Sequence, residues 1–384
     1  APEGRAVLAS AWARRAPELA PLRARLAALE QELVAPRALV LQERAEPRRT
    51  FLQERGNFLA PGVEVQPGVP AILPQLPASA ARPTRADLAR WLVAPENPLS
   101  ARVLVNRLWQ RLFGTGLVAT DNDFGTRGER PSHPELLDWL ALEFHARGQS
   151  QRELLRLILT SATYRQSSAA DAAAFARDPE NRLLARGAKL RLEAESVRDV
   201  ALAVSGLFAP KVGGPSVFPP QPEGIWQSPY SGDTWPTSSG ADAHRRGLYT
   251  FLKRSAPYPT LLLFDATSRE LACSRRGRSN TPLQALASLN DPVFVECAQA
   301  LARRLAGAGS VEAGIRLGFE LCTARMPVAE ELATLAELFE GRRASFAARP
   351  QDVELRTGAA GPELAAWISL ATVLLNLDET LTKS

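Results

Sequence analysis

The chain has 384 residues and a formal net charge of +5, and 45% of its residues are hydrophobic. That fraction is enough to fill a core and excludes a chain disordered throughout. No stretch approaches the ~20 apolar residues of a membrane span, so none is expected. At ~150 residues per domain, the length suggests two or three domains. Only four of the 46 basic residues are lysines (Lys189, Lys211, Lys253 and Lys383). The rest are arginines, a skew that reads as codon bias in a GC-rich genome. A whole-chain charge this small names no polyanionic partner, and nucleic acid is not expected.

Residues 3–33 have the helical pattern, with Leu19, Leu22, Leu26, Leu29 and Leu33 at three- and four-residue steps. Pro17 and Pro21 kink or restart this helix, and Pro36 ends it. Residues 38–42 and 50–53 read as short β-like runs, paired with each other. Residues 61–83 are too proline-dense for a helix or a central strand. Helices are then expected over 84–92, 98–113, 135–146, 152–159 and 192–205. Thr84 can cap the first of these, and Pro98 suits the opening of the second. Polar loops span 114–134 and 210–240. The second carries Phe218, Trp226, Tyr230 and Trp235, and a loop this long inside a compact domain is usually functional or disordered. Residues 247–252 and 260–264 look like strands. Helices return over 282–289, 292–305, 311–322, 329–340 and 362–375. The fold class is therefore mostly α: a multi-helix body with a small β component and long Pro/Gly-rich loops. Three regions follow: an N-terminal amphipathic helix and β-like pair (1–56), a Pro-rich connector (57–83), and a helical domain (84–384) with its aromatic loop at 210–240.

The chain opens at Ala1 without an initiator Met, which reads as a processed product or a piece of a longer chain. Its three cysteines, Cys273, Cys297 and Cys322, are odd in number and widely spaced, which builds no disulfide framework. There is no Cys-x-x-Cys-His for covalent haem and no Cys-x-x-Cys pair for zinc. Gly114-Thr115-Gly116 resembles a dinucleotide fingerprint, but it follows a helix instead of a strand.

Five motifs carry a family resemblance. They are PENPLSARVLVNRLWQRLFGTGLVATDNDFGTRGERPSHPELLDWLA (95–141), TSATYRQSS (160–168), GGPSVFPPQPEGIW (213–226), RRGLYTFLKRSAPYP (245–259) and NTPLQALASLND (280–291). Together they resemble domain of unknown function fifteen-fifty-three, also called planctomycete-specific domain one, from about residue 80 onward. RGNFLAPGVEVQPGVP (55–70) is similar to the stretch just before that domain in longer relatives. The resemblance implies the C-terminal part of a large exported protein with a cytochrome-c-like partner domain or protein. It also implies a periplasmic or cell-envelope setting, with haem only on the partner and none in this segment. It supplies no reaction.

Three groups of residues are candidates for chemistry. In the first loop, Asp121, Asp123 and His133 suit acid/base work or a divalent metal. The acidic residue that would close a calcium loop is missing, because Ser132 fills that place; the plain alternative is turn chemistry. In the second group, Asp265, Arg269, Glu270, Arg275, Arg276 and Arg278 suit an anion pocket, since arginine forks bind carboxylate, sulfate or phosphate. The plain alternative is an ion-pair network. Cys273 fits neither a sulfatase signature nor a phosphatase loop. In the third group, Trp226, Tyr230 and Trp235 suit stacking on sugars, with Arg245 and Arg246 close by; the plain alternative is core filling. Glu193, Glu195, Arg198 and Asp199 could project carboxylates into a site; the plain alternative is a solvated helix face with Glu195, Arg198 and Asp199 as neighbours.

Two functions stand at this point. One is an accessory or binding module for a glycan or other extracellular polymer, working with the cytochrome-c-like partner. The other is a hydrolytic or redox enzyme with an Asp/His/Arg pocket, metal-dependent or not, whose catalytic groups would be Asp121, Asp123 and His133 with Asp265 and Glu270 of the charged cluster. The sequence leaves open whether the chain is an enzyme. A subset of arginines within or between the family-like motifs, including Arg245, Arg269, Arg275 and Arg276, stands apart from the rest as forks facing acidic groups or an anionic ligand.

Overall fold

A computed structural model describes residues 12–13, 15–32, 38–76, 83–169, 171–222, 224, 234–357 and 361–383. It is mostly α-helical with a small β component. The chain divides into two compact units, Ala1–Ala94 and Pro95–Ser384.

In the first unit, α1 (Ala20–Glu32) follows a 3₁₀ turn at Pro17–Leu19, so the prolines do restart the helix. Strand β1 (Thr50–Gln53) pairs antiparallel with β2 (Pro61–Val65), in register Thr50↔Val65 and Phe51↔Glu64. This corrects two expectations. Residues 38–42 form no strand, and their Leu39, Val40 and Leu41 side chains are exposed. The partner of β1 comes from the Pro-rich stretch instead, through a short connection that costs little closure entropy. Pro61 is tolerated because it is the first residue of a strand in a ribbon that is all edge. Helix α2 (Arg85–Val93) starts at a full capping box: Thr84 accepts from the Asp87 N–H, and the Asp87 carboxylate accepts from the Thr84 N–H.

The second unit has two large hydrophobic cores. The first packs α3 (Ser100–Phe113), α4 (Pro134–Ala146) and α5 (Gln151–Leu159) around Val105, Leu137, Leu140 and Leu154. Trp109 stacks on Phe113 at 4.1 Å. Asn106 is fully buried, donates to the Val118 carbonyl at 3.0 Å and accepts from the Val118 N–H at 2.9 Å. That exchange folds the turn after α3 back onto the helix. Gly116 is required there, because an added Cβ would lie 2.5 Å from the Asn106 amide. The dinucleotide-like glycines are thus a helix-ending turn. Two short helices, α6 (Ala162–Arg165) and α7 (Ala172–Arg177), lead to β3 (Leu190–Arg191).

The larger core packs α8 (Ala194–Ser205), α9 (Pro259–Leu263), α10 (Pro282–Asn290), α11 (Pro292–Ala306), α12 (Val311–Thr323) and α13 (Ala329–Ala348). Helix α14 (Pro350–Thr357) connects to α15 (Pro362–Leu375), which is apolar nearly all round and lies within this core. Trp367 of α15 meets Phe339 of α13 at 4.5 Å. Leu202, Leu301, Leu305, Ile315, Leu370 and Leu374 are fully buried, each stabilising the fold by ~1.5–3 kcal/mol. Helix α16 (Asp378–Leu381) then leads into β4 (Thr382–Lys383), which pairs with β3. Pro134, Pro259, Pro282, Pro292 and Pro362 each open a helix, where their missing N–H costs nothing.

Two strand expectations fail in this unit. Residues 259–263 form α9, because a short apolar run does not separate strand from helix by period and Pro259 pre-sets the first helical φ. Residues 247–249 form a 3₁₀ turn. Gly247 lies so close to α8 that an added Cβ would be 2.9 Å from Glu195 Cα, and its N–H donates to Asp199 at 2.6 Å. That docking leaves only a single parallel β-bridge of the expected strand, between Thr250 and Val217.

Candidate functional site

A cavity of about 1150 Å³ lies between the two cores of the second unit. Four pieces of chain build its walls. Helix α3 supplies Arg107, Gln110 and Arg111, which share one face at i, i+3 and i+4. The turn after it adds Gly114, Thr115 and Asn122. Glu193, the residue before α8, stands between α3 and the loop 267–278, which forms the rest of the wall.

The loop is clipped at its base. Asp265 accepts from the Ser279 N–H at 2.7 Å and from the Ser279 hydroxyl at 2.8 Å, and Gln284 donates to the Leu263 carbonyl at 2.9 Å. Asp265 has φ +64, a left-handed conformation that Asp tolerates better than most residues. The loop is tied to α3 through Asp121. This buried carboxylate accepts from the Ser274 hydroxyl at 3.2 Å and from the Gln110 amide at 3.3 Å. Arg276 ties the loop to α8 at 2.7 Å from Glu195. Burial pushes the Glu195 carboxyl up, but the Arg276 hydrogen bond and its positive surroundings win and hold it below the ordinary value. The same hydrogen bond raises the Arg276 guanidinium further.

The lining is strongly cationic. Arg107, Arg111, Arg269, Arg275, Arg276 and Arg278 face two carboxylates, Glu193 and Glu270. Arg107, Arg269 and Arg275 are exposed, and among the described residues no carboxylate lies within ion-pair distance of them. Cys273 is exposed on the same loop, whereas Cys297 and Cys322 are buried, with thiols pushed up by that burial to about 11 and about 12.

The cavity therefore brings together Arg269, Glu270, Arg275 and Arg276, with Asp121 and Asp265 holding the wall from behind. Arg278 and Glu193, also singled out from sequence, line it too, and the remaining candidates lie elsewhere. Asp123 forms a turn, accepting from the Gly125 N–H at 2.8 Å. His133 stands before α4 with its Nδ1 3.0 Å from the Ser132 hydroxyl and does not line the cavity. Among the described residues, no group of three or more His, Cys, Asp or Glu side chains is placed to hold a metal ion. Trp235 packs against the larger core, stacked on Tyr258 at 5.8 Å with its ring N–H on the Pro219 carbonyl at 2.8 Å. Trp226 and Tyr230 lie outside the described residues. Arg245 is buried and donates to the carbonyls of Pro215, Lys211 and Gly213. Arg246 pairs with Asp199 at 3.1 Å.

The solvated-face reading of the helix at 193–199 needs correction. Arg198 is 3% exposed and donates to the Ala243 carbonyl at 2.6 Å. Glu193 and Glu195 face the cavity arginines, and Asp199 holds Arg246 and Gly247. Sequence reading also passed over Arg107 and Arg111. Their i, i+4 spacing was visible, but it is common on helix faces and gives no sign of a loop some 160 residues away.

Residues 84–339 match the model of a family described as "Protein of unknown function (DUF1553)", PSD1. No curated protein matches the chain, and no solved structure matches it.

Proposed function

The chain belongs to the DUF1553 family of proteins of unknown function, and we propose that it is a binding module for an acidic extracellular glycan seated in the arginine-lined cavity. The observation that carries this reading is the set of three exposed cavity arginines, Arg107, Arg269 and Arg275, with no carboxylate partner among the described residues. Guanidinium forks match the planar geometry of carboxylate and sulfate groups. The cavity volume exceeds the ~300–1,000 Å³ of sites for small molecules, which suits an oligomer.

The other lining groups favour a sugar polymer over a nucleic acid. Glu193, Glu270, Asn122 and Gln110 offer acceptors for hydroxyl groups. Among the described residues no aromatic side chain lines the cavity, so they offer no platform for stacking bases. The glycan contact in this reading falls to arginines and polar acceptors, because the described aromatics of the 210–240 loop, Phe218 and Trp235, pack on each other, with Trp235 against the larger core. The resemblance of residues 55–70 to the stretch before this domain in longer relatives supports a cytochrome-c-like neighbour in the cell envelope.

Titration calorimetry with an oligogalacturonate, a neutral cello-oligosaccharide and a single-stranded oligonucleotide tests the reading. The oligogalacturonate is expected to bind and to weaken as salt rises, because the Debye length shortens to ~8 Å at 0.15 M. Equal binding of the neutral sugar, tighter binding of the oligonucleotide, or no binding of the acidic sugar would each overturn it.

A further inference from the structure

Glu193 sits among three guanidinium groups without closing on any of them. Its carboxylate lies 3.6 Å from Arg276, 3.6 Å from Arg278 and 3.9 Å from Arg111. N–H···O hydrogen bonds form at ~2.7–3.2 Å, so these contacts are electrostatic only. Arg276 has its short contact with Glu195 instead. Nη1 of Arg278 is buried and has no acceptor among the described residues. A buried donor without an acceptor is unfavourable until one arrives. Helix α8 begins at Ala194, and the positive end of its dipole adds to the same spot. Glu193 makes no capping hydrogen bond there, so the helix does not depend on its side chain.

We infer that Arg111, Arg276 and Arg278 form an inner subsite for one anionic group of the ligand, and that Glu193 is a resident carboxylate displaced when that group binds. This deepens the acidic-glycan reading and rests on it. The anionic group is a uronate carboxylate or a sulfate ester, which share the charge and the acceptor oxygens that the forks recognise. On binding, it supplies the acceptor that Nη1 of Arg278 lacks. Glu193 turns away and remains available to accept a sugar hydroxyl. The outer arginines Arg107, Arg269 and Arg275 hold further anionic groups. A lone anion must displace Glu193 without those outer contacts, so the subsite selects a ligand with several charges over a single small anion.

The test titrates the full chain and its Glu193→Gln and Glu193→Gln/Arg278→Lys variants with inorganic sulfate, an oligogalacturonate and a sulfated oligosaccharide. Removing the competing charge is expected to raise sulfate affinity about tenfold, in line with the cost of opposing like charges in a site. The Arg278→Lys change is expected to cancel that gain, because lysine keeps the charge and loses the fork. Comparison of the two oligosaccharides identifies which anionic group is preferred. An unchanged or lower sulfate affinity in Glu193→Gln, with melting temperature preserved, overturns the inner subsite. If Arg275→Ala still weakens oligogalacturonate binding in that case, the cavity reading stands and only the inner subsite falls. If neither oligosaccharide binds any of these proteins, the acidic-glycan reading itself has failed.

Discussion

Arg245 and Arg275 both lie on irregular segments of the second unit, and their surroundings give them opposite tasks. Arg245 is 1% exposed. Its guanidinium donates to Pro215 at 3.0 Å and Lys211 at 3.2 Å, also reaches Gly213, and lies 3.8 Å over the Tyr249 ring. Its Nη1 and Nη2 donors are taken up by carbonyls that the 211–215 turn directs inward, with Gly213 and Gly214 at positive φ, while its buried Nε has no partner among the described residues. Arg275 is exposed, and no acceptor takes its guanidinium among the described residues. The 267–278 loop takes its support from Asp265, Ser274 and Arg276 instead. Arginine carries five donors. Where the chain's own carbonyls absorb them, the residue holds a loop; where they stay open beside a cavity, they are ready for an outside acceptor.

The largest effect expected from this contrast is at Arg245. Arg245→Ala leaves three carbonyls without their donor and opens a hole under the turn, and should cost about 3 kcal/mol of unfolding free energy. Urea denaturation measures it, and a loss under about 1 kcal/mol would erase the distinction between the two arginines. Next comes Asp265→Ala, which unclips the base of the cavity loop. A destabilisation of about 1–2 kcal/mol is expected, since charged acceptors contribute more than neutral ones. Oligogalacturonate affinity should fall with it, because the arginines lose their placement. Full affinity in a folded Asp265→Ala protein would show that the loop needs no clip.

Arg325 gives an intermediate case: a half-buried arginine fully engaged by carboxylates, at 2.7 Å from both Glu331 and Glu379. The Arg325 hydrogen bond pushes the Glu331 carboxyl down to about 2 from its ordinary 4.5. Because the folded value is the lower one, this pair contributes stability above pH 4.5, and the contribution is lost as pH falls towards 2. Thermal melts of Glu331→Gln should therefore show a shallower acid limb between those values than the parent protein. Identical acid limbs would remove the pair from the account of acid stability. The smallest stability effect is expected at Arg275, where Arg275→Ala should change unfolding free energy by no more than about 0.5 kcal/mol.

The helical body was largely legible, because long amphipathic runs with Pro at their first position and Ser, Thr or Asp caps leave few alternatives. The expected strands at 38–42, 247–252 and 260–264 were not. Short apolar runs have no decisive period, and their state was set by tertiary neighbours such as the α8 backbone against Gly247. Of the cavity, the cluster from Asp265 to Arg278 was visible as a dense run of charge. Arg107 and Arg111 were not, because each sits on an ordinary helical pattern and acquires its role through contacts across 80 residues or more; Glu193 was visible only within a set of helix carboxylates that suits a site or a solvated face alike. Arg245 resembled the cavity arginines in sequence and differs from them only in burial. The small net charge carried no information about a partner; the local placement of a few arginines does.

The most direct test of the account is oligogalacturonate titration of the parent chain beside Arg275→Ala, with melting temperatures taken on the same samples. The account predicts affinity about tenfold lower in Arg275→Ala, equivalent to ~1.4 kcal/mol, at an unchanged melting temperature. Equal affinity in the two proteins would contradict the claim that the open arginines of this cavity bind the ligand.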